Sequence, residues 1–114
     1  MIEFSSSDAI KQEIILVKKS TGERLNIPTD GSATLTAFVA DTKRNKKIID
    51  EAPILHTSDG NDWANGVCVA EFDASSAAAL AKYDGDIIWL AVRVIINSKP
   101  KTLKAEVKAV KMPV

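Results

Sequence analysis

A chain of 114 residues is enough for one domain, and a domain of this size can bury roughly two thirds of its unfolded surface. With 46% apolar and 26% charged residues, the composition argues for a globular domain and against wholesale disorder. Fifteen basic and fifteen acidic residues cancel, so the basic excess of a nucleic-acid-holding domain is missing, and the single cysteine, Cys68, rules out an intramolecular disulfide framework.

Residues 1–10 are read as a flexible N-terminal segment and residues 11–114 as a single β-sandwich domain. The start has neither a basic n-region nor a long apolar run, so synthesis in the cytoplasm without a signal peptide is expected. The longest apolar run, Ile87 to Val92, is far short of a membrane span, and no membrane partner is expected. The apolar stretch Ile14-Ile15-Leu16-Val17 suggests a first strand within 11–18. Arg24 to Pro28 alternates and suits a short edge strand, because Pro28 cannot donate to a ladder.

Ser32 to Ala40 predicts a strong strand with Ala33, Leu35, Ala37 and Val39 on one face and Thr34, Thr36 and Phe38 on the other. Lys43-Arg44-Asn45-Lys46-Lys47 has no aromatic residue to stack on a base and suits a solvated loop. One or two short strands follow around Ile48-Ile49 and Ile54-Leu55, interrupted by Pro53. His56 to Gly66 is rich in turn residues. Val67 to Phe72 is a strand in which either Cys68, Ala70 and Phe72 or Val67 and Val69 can face inward.

Asp73 suits a helix N-cap before an alanine-rich helix near 74–82, anchored by Leu80. The strongest signal is the hairpin from Asp86 to Met112, with β-branched Ile87 to Ile96, a turn at Asn97-Ser98-Lys99-Pro100, and alternation over Thr102 to Ala109. The expected core is Leu35, Ala37, Val39, Phe72, Leu80, Ile88, Leu90, Val92, Val94, Leu103 and Val107. About seven short strands at this spacing predict an all-β, antiparallel sandwich.

Catalysis is not expected. Cys68 lies in an apolar strand, where a free thiol behaves as a small hydrophobe, so partnership with the lone His56 has little support. Glu71 and Asp73 could share a strand face, but Asp73 is better explained as the cap. One histidine and one cysteine are too few for zinc. Asp59, Asn61 and Asp62 lack the spacing and closing Glu of a calcium loop, and no phosphate-cradling glycine motif occurs, so no metal or cofactor is expected.

Two surfaces attract attention. The odd positions of the long strand, Ile87, Trp89, Ala91, Arg93 and Ile95, make its outer face largely apolar, where solvent normally selects polar residues. Either another part of the chain covers this face or it is an interaction surface. The second is the loop of His56, Asp59, Asn61, Asp62 and Trp63, where Trp63 could stack a sugar and the polar groups could bond it, or could instead anchor the loop to the core.

The order of strands resembles the immunoglobulin-like modules of bacteriophage tail and baseplate proteins. The likeness lies in Ser32 to Val39, in Gly66 to Phe72 followed by the short helix, and in the hairpin that starts at Asp84-Gly85 and ends at Val107 to Val110. It covers about two thirds of the chain. The paired cysteines of antibody domains are absent. The resemblance implies a non-enzymatic structural or adaptor module of a phage or prophage particle, acting by contact with a protein partner or by self-association, without nucleic acid. A small ligand- or carbohydrate-binding β-domain is the alternative.

Overall fold

The computed structural model describes residues 2–44 and 46–110. They form seven strands in two sheets and one short helix. The strands are β1 (Glu3–Ser5), β2 (Ile10–Ile15), β3 (Ala33–Asp41), β4 (Lys47–Ile54), β5 (Val67–Phe72), β6 (Ile87–Ile96) and β7 (Lys99–Val110). The larger sheet has the order β1-β7-β6-β3-β4, and β2 and β5 form a separate pair.

The larger sheet is mixed, which departs from the all-antiparallel expectation. β1 runs parallel to β7, with Phe4 opposite Ala109. The opening segment, expected to be flexible, therefore contributes a strand. The Lys108 N–H donates to the Ile2 carbonyl, the Ser6 N–H donates to the Val110 carbonyl, and the Phe4 ring is buried. One buried aromatic residue and a borrowed ladder hold a stretch whose other residues are mostly polar.

β6 pairs with β3 on one side and β7 on the other. Its even positions face the β2–β5 pair and its odd positions face away. Leu35, Ala37, Val39, Ile88, Leu90, Val92 and Val107 join Phe72 and Leu80 in one buried cluster. Every expected core residue is buried except Leu103, which is half-buried. β2 is antiparallel to β5, with Ile14 opposite Cys68 and Ile10 opposite Phe72. That register selects Cys68, Ala70 and Phe72 as the inward set.

β4 is one strand, and its pairing with β3 shifts register on both sides of Val39. Pro53, opposite Thr36, does not break the strand because β4 is the edge of the sheet. Arg24 forms only an isolated bridge with Val17 rather than an edge strand. Asp73 caps the helix as expected, its Oδ1 accepting from Ser76 N–H at 2.7 Å and Ser75 Oγ–H at 2.8 Å. Those bonds hold its carboxyl below the usual value. The helix is α-helical only over Ala74–Ala77 and tightens to 3-10 geometry over Ala78–Tyr83, with Leu80 buried.

The β6–β7 turn is shorter than expected. Lys99 and Pro100 belong to β7, leaving Asn97 and Ser98 as the whole turn. Their φ values are 50° and 65°. Two-residue hairpin loops of the I′ kind need φ > 0 at both positions to match strand twist. Residues 111 and 112 of the expected hairpin lie outside the described residues. Because Ser98 is exposed and strained in this region, Ser98→Gly is expected to raise stability by about 1 kcal/mol. Chemical denaturation of both proteins checks this, and an unchanged or lowered midpoint would contradict the turn geometry.

Candidate interaction face

The solvent side of the larger sheet carries a second, smaller apolar cluster. Phe38 and Ala40 of β3 and Ala91 of β6 are buried there, and Trp89 packs against them. The pairing explains how this fits. Ala91 lies opposite Phe38 and Ala40 lies opposite Trp89, so each ring has a methyl group as its cross-strand neighbour. Large–small pairing leaves each ring room to lie on the sheet.

Among the described residues, cations lie over both rings. The sheet's own cations cover them. Lys47 Nζ stands 5.1 Å from the Phe38 ring centre and the Arg93 guanidinium 5.6 Å from it. Lys104 Nζ is 5.9 Å from the centre of Trp89. Long cationic side chains cover apolar surface with their stems while their charged ends stay wet, and the ring faces attract the charge.

Glu51 ties this cover together. Its carboxylate accepts from Lys47 at 2.8 Å and from Thr36 at 2.9 Å, and Arg93 lies 2.8 Å away. These bonds, Lys47 first and Thr36 second, with the charge of Arg93, hold the Glu51 carboxyl below its ordinary value. At the ends of the face, Ile95 is half-buried and Ile87 is 36% exposed. Ile87, Trp89, Arg93 and Ile95 therefore lie on one continuous surface, with Phe38, Lys47 and Glu51 as neighbours. Sequence pattern alone misses those three, because they come from strands whose adjacency to β6 is not written in its alternation.

The 56–66 loop is built differently. Trp63 opens a single 3-10 turn over Trp63–Asn65 and is only 5% exposed. Its Nε1–H donates to Asn61 Oδ1 at 3.2 Å, and the same oxygen accepts the Val69 N–H at 3.1 Å. The Trp63 carbonyl accepts the Ile27 N–H. His56 meets the indole edge-on, with ring centres 5.5 Å apart. Asp62 accepts from Asn65, and Asp59 is exposed near Lys11. Gly66 closes the turn at φ 72°, where an added Cβ would meet the Leu16 carbonyl at 2.6 Å. Trp63 thus anchors the loop, its ring edge lining a cleft of about 280 Å³ with His56, and Asn61 Oδ1 bonds within the loop.

Cys68 is fully buried opposite Ile14, and burial pushes its thiol up to about 11. The thiolate needed for nucleophilic chemistry is suppressed there. Among the described residues, no three His, Cys, Asp or Glu side chains gather as a metal site. A cleft of about 440 Å³ lies between Asp41–Arg44, Lys82–Tyr83 and the start of β6. It mixes three cations with Asp41 and Asp86 and holds no nucleophile–base pair. Among the described residues, no helix is long and apolar enough to cross a membrane. No protein-family model matches this chain, and no curated protein sequence does either.

The pH dependence of the Glu51 network has a definite sign. A lowered folded-state pKa stabilises the fold above the unfolded carboxylate value and loses that contribution as pH falls through the folded value. Wild type should therefore exceed Glu51→Gln in stability at neutral pH. The difference should shrink toward about pH 3, as read from urea denaturation midpoints. A difference that grows on acidification would contradict the network.

Proposed function

We propose that this protein is a non-enzymatic structural or interaction module that works by protein–protein association, with an immunoglobulin-like arrangement of its two sheets. Its outer-face residues Ile87, Trp89, Arg93 and Ile95 form the contact surface. The observation that carries this reading is the apolar cluster on the outer side of the larger sheet, with cations over its rings among the described residues. Half-exposed ion pairs such as Arg93–Glu51 contribute little to stability, so a partner can displace them at small cost. Tryptophan and arginine around a buried apolar centre are also the side chains that most often dominate binding energy.

The resemblance to bacteriophage tail and baseplate modules supports a place in a phage or prophage particle, reached from cytoplasmic synthesis. A non-enzymatic role fits the sealed thiol of Cys68. The burial of Trp63, which leaves little of its ring for stacking, favours this reading over a carbohydrate-binding one.

Light scattering after size exclusion, over a range of concentrations and with candidate particle proteins added, tests the face. Trp89→Ala and Arg93→Glu are each expected to weaken association by about tenfold or more, the scale of a hot-spot residue. Association indifferent to both substitutions would remove this face as the contact surface.

A further inference from the structure

The end of the 56–66 loop carries chemistry that the interaction-module reading does not use. Asn65-Gly66 is the one asparagine–glycine pair in the chain. Such a pair reacts without an enzyme. Glycine has no side chain to shield its backbone nitrogen, so that nitrogen can reach the side-chain carbonyl carbon of the residue before it. The nitrogen loses its proton to hydroxide and bonds to Asn65 Cγ. The Cγ–Nδ2 bond breaks, and the amide takes a proton from water and leaves as ammonia. Water then opens the cyclic imide at either carbonyl. One opening gives aspartate. The other gives isoaspartate, in which the main chain runs through the side-chain carbon.

Asn65 is exposed, so water and hydroxide reach it. The fold blocks the step in another way. The Gly66 N–H donates to the Trp63 carbonyl at 3.1 Å, which holds the proton that must leave. The Asn65 N–H donates to the Asp62 carbonyl at 3.1 Å, and Asn65 Nδ2 donates to Asp62 Oδ2 at 2.8 Å. Those two bonds fix the main chain and the side chain of the group under attack.

Gly66 has no room to turn toward Asn65. It is buried, and its carbonyl accepts the Leu16 N–H at 2.8 Å. A Cβ on it would meet backbone atoms of Leu16 and Leu25 at 2.6 to 3.1 Å. The turn is also closed at its ends, because Asp62 and Val67 exchange both backbone hydrogen bonds at 2.9 Å. Rotating the 65–66 peptide to bring the nitrogen onto Cγ breaks several of these bonds together, so the reaction waits for the turn to open.

We infer that Asn65 is a self-modification site gated by folding: the closed 62–67 turn preserves its amide, and opening of the turn releases it to aspartate or isoaspartate. The turn does not take the product back in its former shape. A carboxylate then stands where the amide donated to Asp62, and like charges at that distance repel. Isoaspartate also lengthens the main chain between two ends that are fixed to each other. Loss of ammonia makes the change permanent, so a chain that has opened here keeps a record of it. The inference is independent of the outer face and of any partner.

The test incubates the intact protein at mildly alkaline pH, in buffer and in urea above its unfolding midpoint, and follows Asn65 by peptide mapping with mass spectrometry. Conversion in buffer should be slower than in urea by about tenfold or more, because only the open fraction reacts. Asp62→Ala removes the side-chain acceptor. It should speed conversion in buffer about fivefold, the scale of one hydrogen bond, and leave the rate in urea unchanged. Protein converted in urea and then refolded should show a lower urea midpoint than unconverted protein treated alike. Equal rates in buffer and urea would overturn the gate. An Asp62→Ala rate in buffer equal to wild type would overturn it as drawn, and so would equal acceleration in buffer and urea. An unchanged midpoint after conversion would overturn the claim that the turn rejects its product.

Discussion

The long strand from Ile87 to Ile96 must be covered on both of its faces, and the rest of the architecture follows from that requirement. It is β-branched along most of its length, paired along both edges, and apolar at even and odd positions alike. Burial of such side chains is favourable by about 25 cal/mol per Å² of apolar surface, so neither face can be left bare at low cost. The two faces are covered by different means. The inner face receives a second sheet. The outer face receives the stems of Lys47, Arg93 and Lys104, with Ala40 and Ala91 recessed so that Phe38 and Trp89 can lie close to the sheet.

The candidate outer face comes from the limits of the second of these solutions. A roof of cations shields rings from water but remains displaceable, because half-exposed ion pairs are weak and solvated. A two-stranded cover is narrower than five strands, and among the described residues β2 has no strand on the flank away from β5. Open edges invite uncontrolled pairing, and natural sheets blunt them with charges, prolines and local bonds. This chain does so with Lys11 and Glu13 on the edge residues and with the Gln12 side chain on the Glu13 carbonyl. At the opposite side of the larger sheet, Pro53 serves the same purpose in edge strand β4.

Local pattern made much of this legible in the sequence. The alternation of Ala33 to Val39, the β-branched run of β6, the Asp73 cap and the Leu80 anchor are signals carried within a few residues of one another. What escaped the sequence depends on distant strands. β1 is three residues long and owes its place to Phe4 and to hydrogen bonds with β7. The burial of Phe38 on the side assigned to solvent requires Lys47 and Arg93, which arrive from other strands. The role of Trp63 turns on Asn61 Oδ1, which satisfies the indole and a β5 amide together. The tightness of the Asn97-Ser98 turn was hidden because Pro100, ordinarily a turn residue, here lies within a strand that begins at Lys99.

Native-state amide hydrogen exchange, residue by residue, tests the unequal two-sheet arrangement most directly. Amides of β6, bonded and buried from both sides, should exchange last, at rates set by global unfolding. In β2 the protection should alternate, with Gln12 and Ile14 slow and Lys11, Glu13 and Ile15 fast, because only the first set points at β5. Uniform protection along β2, or fast exchange at the centre of β6, would contradict an architecture in which β6 is the buried spine and β2 the open edge.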